Sequence, residues 1–316
     1  MKHKLFVMLS LLILIGMFLG ACGSPATVPE EVEEVVATEV ETVEEEEEVS
    51  AASADLDGAY SAMLADMQGY NTVKKEDLAV ELLEEPPPFI IDVRTVDEVT
   101  ENGHIPGAVH IPLNELGQHT DLLPSFDTPI VTYCAGGWRA TIAMTELAAA
   151  GFEDVRALKA KFSDWVDAGY PVDPGLPPEP FVLDAANPDP AFMAAVDEML
   201  SAREGWGGIS AEDLNLALTE NPDHILIDVR RAEELESNGL IEGSIHIPLE
   251  EFIANKDLWP ADMDAPITIY CGSGHRSTMA AAMMWTYGYT DVTSLSGGFG
   301  GWADAGYPVV EYAAVQ

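Results

Sequence analysis

The feature that most limits how this chain can fold is an internal repeat with an offset of about 136 residues. The sequence FIIDVRTVDEVTENGHIPGAVHIPL at residues 89–113 recurs as ILIDVRRAEELESNGLIEGSIHIPL at residues 225–249. TPIVTYCAGGWRA recurs as APITIYCGSGHRS, and WVDAGYPV at residues 165–172 recurs as WADAGYPV at residues 302–309. The chain is therefore a tandem duplication, and both copies are expected to adopt the same fold.

The repeat divides the 316-residue chain into segments, and a chain of this length has room for two domains. The first copy is assigned to residues 57–173 and the second to residues 190–316. Residues 174–189 are predicted to be a proline-rich linker, because the run DPGLPPEP at its start favours a stiff connector.

Within each copy, short apolar runs alternate with helical patterns. Residues 89–93 and 129–133 are nearly continuous apolar runs, which is typical of strands buried on both faces of a parallel sheet. Residues 140–150 predict a helix that ends at Gly151, and residues 277–287 repeat that pattern. The alternation predicts an α/β fold with two tandem doubly wound domains, each a parallel sheet flanked by helices. Ligands of such sheets bind beyond the carboxyl ends of the strands.

The charge balance excludes one class of partner. Lysine and arginine total 14 against 55 aspartates and glutamates, which gives a net charge of −41. A chain this acidic is not expected to bind nucleic acid or to be attracted to an anionic lipid surface. No nucleotide, flavin or metal motif is present, so no cofactor and no metal site is expected.

The first residues are predicted to be an export signal. Lys2 and Lys4 precede the apolar run 5–19, and the following Leu-Gly-Ala-Cys resembles the lipobox of bacterial lipoproteins. We therefore expect residues 1–21 to be a signal peptide, with Cys22 as the lipid attachment site and membrane anchor. An uncleaved anchor or an ordinary signal peptide is the alternative. The predicted location is the outer face of the cell membrane, or the periplasm. The glutamate-rich residues 22–56 predict an extended, disordered tether.

Each copy places a cysteine directly after a buried strand, followed by a glycine-containing loop and an arginine. The two sequences are Cys134-Ala135-Gly136-Gly137-Trp138-Arg139 and Cys271-Gly272-Ser273-Gly274-His275-Arg276. A thiol at this position faces a helix N-terminus and unpaired backbone N–H groups, which favour its ionised form. The arginine adds a fixed cation. A buried structural cysteine is the alternative, but its recurrence with the arginine favours a reactive thiolate that handles anions.

Further residues recur at equivalent positions. They are Asp92 and Asp228, Arg94 and Arg230, His110 and His246, and Trp165 and Trp302. The aspartate–arginine pairs are interpreted as structural ion pairs or turn caps, with support of the active loop as the alternative. The histidines are interpreted as packed, hydrogen-bonded residues, and the tryptophans as core aromatics.

Trp138 and His275 differ between the copies at the residue just before the arginine. Both are expected to shape access to the bound anion. A His275 that titrates would make the second site more sensitive to pH, or would accept a proton from an incoming thiol.

Together these motifs resemble two rhodanese domains in tandem. The resemblance covers residues 70–173 and 205–310 and rests on IIDVR or LIDVR, GHIPGAVHIP or GLIEGSIHIP, YCxxGxR, and the final LSGGFGGWADAGYPV. It implies a sulfurtransferase in which Cys134 and Cys271 take sulfur from an anionic donor such as thiosulfate, hold it as a persulfide and pass it to cyanide or a thiol. Arg139 and Arg276 are then the cations that bind the substrate and stabilise the persulfide, and the loop residues supply N–H groups.

The chain departs from the family pattern in two respects. Residues 158–162 read LKAKF where residues 295–299 read LSGGF, so the first copy lacks a glycine pair. Both copies keep the cysteine, whereas the well-known tandem enzymes of the family keep it only in the second. The resemblance also leaves a main alternative, because many rhodanese-like domains are non-catalytic persulfide carriers or binding modules. Phosphatase or arsenate reductase chemistry is disfavoured, because four residues separate cysteine from arginine here and five in the related phosphatases.

Overall fold

Each repeat forms a parallel sheet flanked by helices in the computed structural model, which describes residues 54–312 except residues 181, 183 and 204. The first repeat contains α1 (Leu56–Asp66), β1 (Thr72–Val73), α2 (Lys75–Glu81), β2 (Phe89–Asp92), α3 (Val96–Asn102), β3 (Val109–His110), β4 (Ile130–Tyr133), α4 (Trp138–Ala149), β5 (Val155–Leu158) and α5 (Phe162–Asp167). The second contains α6 (Pro190–Ser201), β6 (Gly208–Ile209), α7 (Ala211–Glu220), β7 (Ile225–Asp228), α8 (Ala232–Asn238), β8 (Ile245–His246), β9 (Ile267–Tyr270), α9 (His275–Thr286), β10 (Val292–Leu295) and α10 (Gly298–Asp304). Short 3₁₀ turns occur at Leu113–Glu115, Thr120–Leu122, Leu249–Glu251 and Lys256–Leu258. The predicted pair of doubly wound α/β domains is confirmed.

The two five-stranded sheets have the same strand order, β1-β5-β4-β2-β3 and β6-β10-β9-β7-β8. All neighbouring strands run parallel. Every residue of β4 and of β9 is buried, because helices cover both faces of each sheet. Asp92 pairs with Tyr133, and Asp228 pairs with Tyr270. The last residues of neighbouring strands therefore lie side by side, and the loops that follow them share one edge of each sheet.

The helix that follows each cysteine loop is buried almost all round. In α4 the side chains of Met144 and Leu147 are fully buried, and Met283 and Met284 are equally buried in α9. Each helix covers its own sheet on one side and packs against the other helix on the opposite side. An apolar surface around the whole helix is the pattern of a helix inside a core, not of one at the surface.

The two repeats consequently share one core. Helix α1 packs on α4 and also contacts the turn Leu249–Glu251 of the second repeat, while α6 contacts the turn Leu113–Glu115 of the first repeat and α9. A single apolar cluster runs through both repeats. The described residues of both repeats form one compact unit. The contact between α4 and α9 places the starts of these helices, and hence the cysteine loops, near the boundary between the repeats.

Two backbone contacts lie near the ends of the predicted linker. His104 and Asp173 form a short antiparallel bridge at the end of the first repeat, and the Ala186 N–H donates to the carbonyl of Pro124 at 3.2 Å. The predicted signal peptide, Cys22 and nearly all of the predicted tether lie outside the described residues. Among the helices that the structure describes, none combines the length and the apolar character needed to cross a membrane.

Candidate active site

Both cysteines lie at the carboxyl end of the central strand of their sheet. Cys134 follows β4 and Cys271 follows β9, and each is a free thiol with about 1% of its surface exposed. Each sulfur accepts a hydrogen bond from a backbone N–H, which Gly137 donates to Cys134 Sγ and Gly274 to Cys271 Sγ, both at 3.1 Å. These glycines have φ angles of 92° and 110° and immediately precede α4 and α9. Such positive φ values favour glycine and aim the amide at the sulfur.

The arginine at the start of each helix is held by a glutamate of the same repeat. Arg139 donates to the two carboxylate oxygens of Glu98 at 2.6 and 2.7 Å, and Arg276 makes the same pair of bonds to Glu234 at 2.6 and 2.7 Å. The hydrogen bonds from Arg139 lower the pKa of Glu98 to about 2, and those from Arg276 lower the pKa of Glu234. Both carboxylates are therefore ionised throughout the neutral range.

The sulfur atoms and the arginines are electrostatically coupled. Burial acts against the charge of Arg139, but the hydrogen bonds to Glu98 and the interaction with the neighbouring Cys134 sulfur raise its pKa above the ordinary value. The same contributions, with burial again opposing them, raise the pKa of Arg276 beside Cys271. Each loop therefore combines a sulfur atom, a converging amide and a permanently charged guanidinium, which together can accommodate an anion.

The sequence did not indicate the role of Glu98 and Glu234. Each lies four residues after an arginine of the IDVR motif, in both copies, and this repeated spacing was the available signal. Glu98 also completes a capping box with Thr95 at the start of α3, and its carboxylate accepts from the Thr95 N–H at 2.9 Å. The capping arrangement thus fixes the carboxylate that holds Arg139.

Asp92 and Arg94 form a buried ion pair, with a shortest N–O distance of 2.6 Å and side chains 0% and 1% exposed. Tyr133 donates to Asp92 at 2.6 Å. The Arg94 guanidinium lies 3.8 Å from the ring centre of Phe162, whose N–H donates to the carbonyl of Ala135 in the cysteine loop. The pair is a structural ion pair, as predicted, and it is linked to the active loop through Phe162. Asp228, Arg230, Tyr270 and Phe299 form the equivalent cluster.

The other repeated residues have structural roles. His110 and His246 lie 2.8 and 2.7 Å from the carbonyls of Arg94 and Arg230, so both are packed and hydrogen-bonded, as predicted. Trp165 and Trp302 are 1% and 2% exposed core aromatics.

The glycine pair of the second repeat, Gly297 and Gly298, packs against the backbone of the Cys271 loop. The Phe299 N–H donates to the Cys271 carbonyl at 2.7 Å, and the Gly300 N–H donates to the Gly272 carbonyl at 3.1 Å. Gly298 has a φ of 58°, and a Cβ at this position would lie 2.6 Å from the Ser273 nitrogen. Only glycine therefore allows this close approach.

In the first repeat, the segment that packs against the cysteine loop makes a different contact. Lys161 takes the place of Gly298 with a φ of −76°, and the Phe162 N–H donates to Ala135 at 3.1 Å instead of to the cysteine carbonyl. A cleft of about 410 Å³ opens beside the loop. Its walls include Arg94, Glu98 and Ala135.

Trp138 and His275 are held against the neighbouring repeat. The Trp138 ring lies 3.6 Å from an ideal Cβ position on Gly274. His275 Nε2 lies 2.7 Å from the carbonyl of Tyr70 and Nδ1 lies 2.9 Å from the hydroxyl of Thr141, both in the first repeat. Burial lowers the pKa of His275. Because both ring nitrogens already have partners, this arrangement argues against His275 as a proton acceptor for an incoming thiol.

The two cysteine loops border a common cleft of about 370 Å³ between the repeats. Gly136 and Gly137 line it from the first loop, and Ser273 and Gly274 line it from the second. The exposed Lys159 also contributes to the wall. In the described part of the chain, no group of three or more histidine, cysteine or carboxylate side chains is arranged to hold a metal ion.

Comparisons with known proteins agree with this architecture. The rhodanese-like domain family matches twice, at residues 76–168 and 210–305, which together make up more than half of the chain. A sulfurtransferase of Allochromatium vinosum is 34% identical over 102 residues, or 32% of this chain and 92% of that protein. The thiosulfate sulfurtransferase GlpE of Pseudomonas savastanoi pv. phaseolicola is 39% identical over 87 residues, or 27% of this chain and 76% of that protein.

Among solved structures, SseA of Escherichia coli, a 3-mercaptopyruvate sulfotransferase with the rhodanese fold, is 21% identical. The match covers 72% of this chain and 98% of SseA with a TM-score of 0.35.

The duplicated parallel sheets and the cysteine loops at their carboxyl edges define a tandem α/β protein with two thiol sites. The chain belongs to the rhodanese-like family, on the strength of both domain matches. Its relatives include sulfurtransferases, so the family places this chain in sulfur transfer in the general sense.

Proposed function

We propose that the chain is an exported, membrane-tethered sulfurtransferase that moves sulfane sulfur from an anionic donor to a thiol or cyanide through a cysteine persulfide. The observation that carries this proposal is the repeated arrangement of a free cysteine, an amide 3.1 Å from its sulfur and a charged arginine at a helix N-terminus. Each element favours negative charge on sulfur and on a bound donor.

The reaction divides into two displacements at sulfur. The thiolate of Cys134 or Cys271 attacks the outer sulfur of thiosulfate, the S–S bond of the donor breaks, and sulfite leaves with the bonding electron pair. The loop amides and the arginine stabilise the charge that develops on the departing sulfite. Cyanide or a thiolate then attacks the outer sulfur of the persulfide and regenerates the cysteine thiolate. Charge balances in both steps, and neither step requires an oxidant.

A persulfide carrier that does not turn over is the second candidate. The bidentate glutamate contacts favour it, because Arg139 and Arg276 already have carboxylate partners that a donor anion must share or displace. A carrier would receive sulfur from another persulfide, which needs less help from a cation than capture of a dianion does.

Two measurements on the mature chain separate these candidates. Mass spectrometry after exposure to thiosulfate reports which cysteine gains one sulfur atom, and thiocyanate formation from thiosulfate and cyanide reports turnover. We expect turnover in the parent chain, a partial rate in Cys134→Ser and in Cys271→Ser, and none when both are changed. A stable persulfide without thiocyanate formation would identify a carrier, and absence of persulfide with every donor would reject both candidates.

The proposed location rests on the sequence of the first residues. The lipobox-like segment ending at Cys22 and the glutamate-rich stretch after it support a lipid anchor with a spacer. Labelling of cells with a radioactive fatty acid tests this: the parent chain should incorporate the label, and Cys22→Ser should not. Absence of label from the parent chain would contradict lipid anchoring at Cys22.

A further inference from the structure

Tyr70 belongs to the first repeat, but its side chain lies at the Cys271 site of the second repeat. Its hydroxyl lies 3.4 Å from Arg276 Nη1 and donates to a carboxylate oxygen of Glu250 at 3.2 Å. The guanidinium carbons of Arg276 and Arg231 lie 4.9 and 5.2 Å from the centre of the Tyr70 ring. The ring therefore forms a wall beside the arginine that is paired with Glu234 and electrostatically coupled to Cys271.

The backbone around Tyr70 is fixed in an uncommon conformation. Tyr70 and Asn71 have φ angles of 58° and 51°, in the left-handed region that non-glycine residues rarely adopt. The Asn71 side chain closes this turn by accepting from the Gln68 N–H at 3.1 Å. The Tyr70 carbonyl accepts from His275 Nε2, at the first residue of α9. The turn is thus fastened to the same helix start that carries Arg276.

The residues that surround Arg276 are not repeated around Arg139 in the first repeat. The positions equivalent to Arg231 and Glu250 are Thr95 and Asn114. The residue equivalent to Tyr70 is Trp206, which lines a separate cleft with Trp285 and Tyr289. The residues that surround Arg276 are therefore specific to the second site.

We propose that Tyr70 is a positioning residue for the Cys271 site, holding Arg276 at the cysteine loop, so that this site is completed by the neighbouring repeat. This inference rests on the proposed function for its consequence in catalysis. Tyr70 acts through Arg276 and does not itself exchange sulfur. It follows that sulfur transfer at Cys271 depends on the first repeat even when Cys134 is absent.

The test uses full-length variants that retain one cysteine. In Cys134→Ser, where only Cys271 remains, we expect Tyr70→Phe to slow persulfide formation from thiosulfate about fivefold, because one hydrogen bond to the guanidinium is lost. Tyr70→Leu removes the ring as well and should slow this step further. Discharge of a preformed persulfide by cyanide should change less than twofold. In Cys271→Ser, where only Cys134 remains, both Tyr70 variants should match their parent.

A second readout does not depend on sulfur transfer. Iodoacetate is an anion and iodoacetamide is neutral, so the ratio of their alkylation rates at Cys271 reports the cation beside the thiol. Tyr70→Phe should lower this ratio about twofold at Cys271 and leave it unchanged at Cys134. Trp206→Phe, at the equivalent position of the second repeat, is the matched control and should alter neither site.

The outcomes separate this inference from the proposed function. A lowered alkylation ratio at Cys271 without persulfide formation in any variant rejects the proposed function and retains the positioning role. Normal persulfide formation with no effect of Tyr70→Phe on rate or ratio overturns the positioning role alone. Equal losses at both cysteines also overturn it, since they indicate a general effect on folding. If the Tyr70 variants are less stable than the parent, Glu250→Gln is used instead. It weakens the hydrogen bond that Glu250 accepts from the Tyr70 hydroxyl, and the rates and alkylation ratios at the two cysteines are compared in the same way.

Discussion

The two cysteine loops share their hydrogen-bond geometry but differ in what supports them. Around Cys271, the segment that begins at Gly298 donates backbone hydrogen bonds to the carbonyls of the cysteine loop, and the Ser277 hydroxyl lies 3.6 Å from the sulfur. Around Cys134, the corresponding segment meets the loop at Ala135, and a cleft of about 410 Å³ lies beside it. Ala140 stands where the second repeat has Ser277.

This difference separates the residues that take part in sulfur transfer from the residues that support and surround the cysteine loops. Cysteine, the amide-donating glycine, arginine and its glutamate partner are the same in both repeats. The residues that differ lie behind the loop, beside the sulfur and across the boundary between the repeats. We expect Cys271 to react faster with small anions and Cys134 to admit larger partners, and the following four predictions break or sharpen that comparison.

The largest expected effect concerns the helices after the loops, where Glu146 of α4 corresponds to Met283 of α9. Glu146 is fully buried, and burial raises its pKa from 4.5 to about 8. The unfolded chain ionises this carboxyl from about pH 4.5 upward while the folded chain keeps it neutral until about pH 8. The free energy of unfolding should therefore fall by several kcal/mol between these values and level off above them.

Urea unfolding at pH 5, 6.5 and 8 measures this dependence. Glu146→Gln keeps the size of the side chain and an acceptor for Tyr60, whose hydroxyl donates to Glu146 at 2.7 Å. It should make the free energy of unfolding markedly less dependent on pH, whereas Glu153→Gln, at an exposed position, should leave the dependence as it is. An unchanged slope in Glu146→Gln would show that the buried carboxyl does not control stability.

The next prediction tests whether the shared residues act alike in the two sites. Arg139→Gln and Arg276→Gln each remove a guanidinium that stabilises negative charge at the sulfur and on the donor. We expect persulfide formation from thiosulfate to fall about 100-fold at the cysteine of the altered repeat and to stay normal at the other. Rapid quenching followed by mass spectrometry measures both cysteines in one sample. If both variants lost persulfide formation at the same cysteine, the two arginines would not have the same role in their sites.

The sequence was sufficient for the central strands and for the cysteine loops because both depend on local patterns. Apolar runs and the helix that ends near Gly151 gave the central strands and α4, although α4 begins at Trp138 and so includes residues that the pattern assigned to the loop. The two-residue edge strands β1 and β3 were not predicted. Strands this short have too few residues for a hydrophobic period to be visible.

Contacts between the repeats could not be predicted in the same way. Trp138 and His275 were interpreted as neighbours of the bound anion because they adjoin the arginine in sequence, yet their side chains contact the other repeat. The position equivalent to Tyr70 holds Trp206, so no repeated residue drew attention to Tyr70. Such contacts depend on how α4 packs against α9, and a pattern within one copy does not record that geometry.

Gly298→Ala tests whether close packing of Gly298 against the Cys271 loop is needed for the reactivity of Cys271. The added methyl group would meet the Cys271 loop backbone, and the φ of 58° is unfavourable for alanine, so the loop must shift. We expect persulfide formation at Cys271 to fall about tenfold while Cys134 keeps its rate. Lys161→Ala alters the equivalent residue, which has an ordinary φ, and should change Cys134 less than twofold. Equal effects of the two substitutions would show that the glycine is not needed for close approach.

The smallest expected effect concerns the hydroxyl beside the sulfur. The Ser277 hydroxyl donates to the Gly274 carbonyl at 3.0 Å, lies 3.6 Å from Cys271 Sγ and accepts from the Ser294 hydroxyl at 2.8 Å, which fixes its position. Because a hydroxyl dipole near sulfur favours negative charge there, Ser277→Ala should slow alkylation of Cys271 by iodoacetamide at pH 7 about threefold. Ala140→Ser should not produce an equal gain at Cys134, because the residue equivalent to Ser294 is Ala157, which cannot hold the new hydroxyl in place. The double change Ala140→Ser with Ala157→Ser supplies both hydroxyls and should bring the alkylation rate of Cys134 closer to that of Cys271. If it does not, the difference between the two thiols arises from the glycine-backed segment and from Tyr70 instead of from this serine pair.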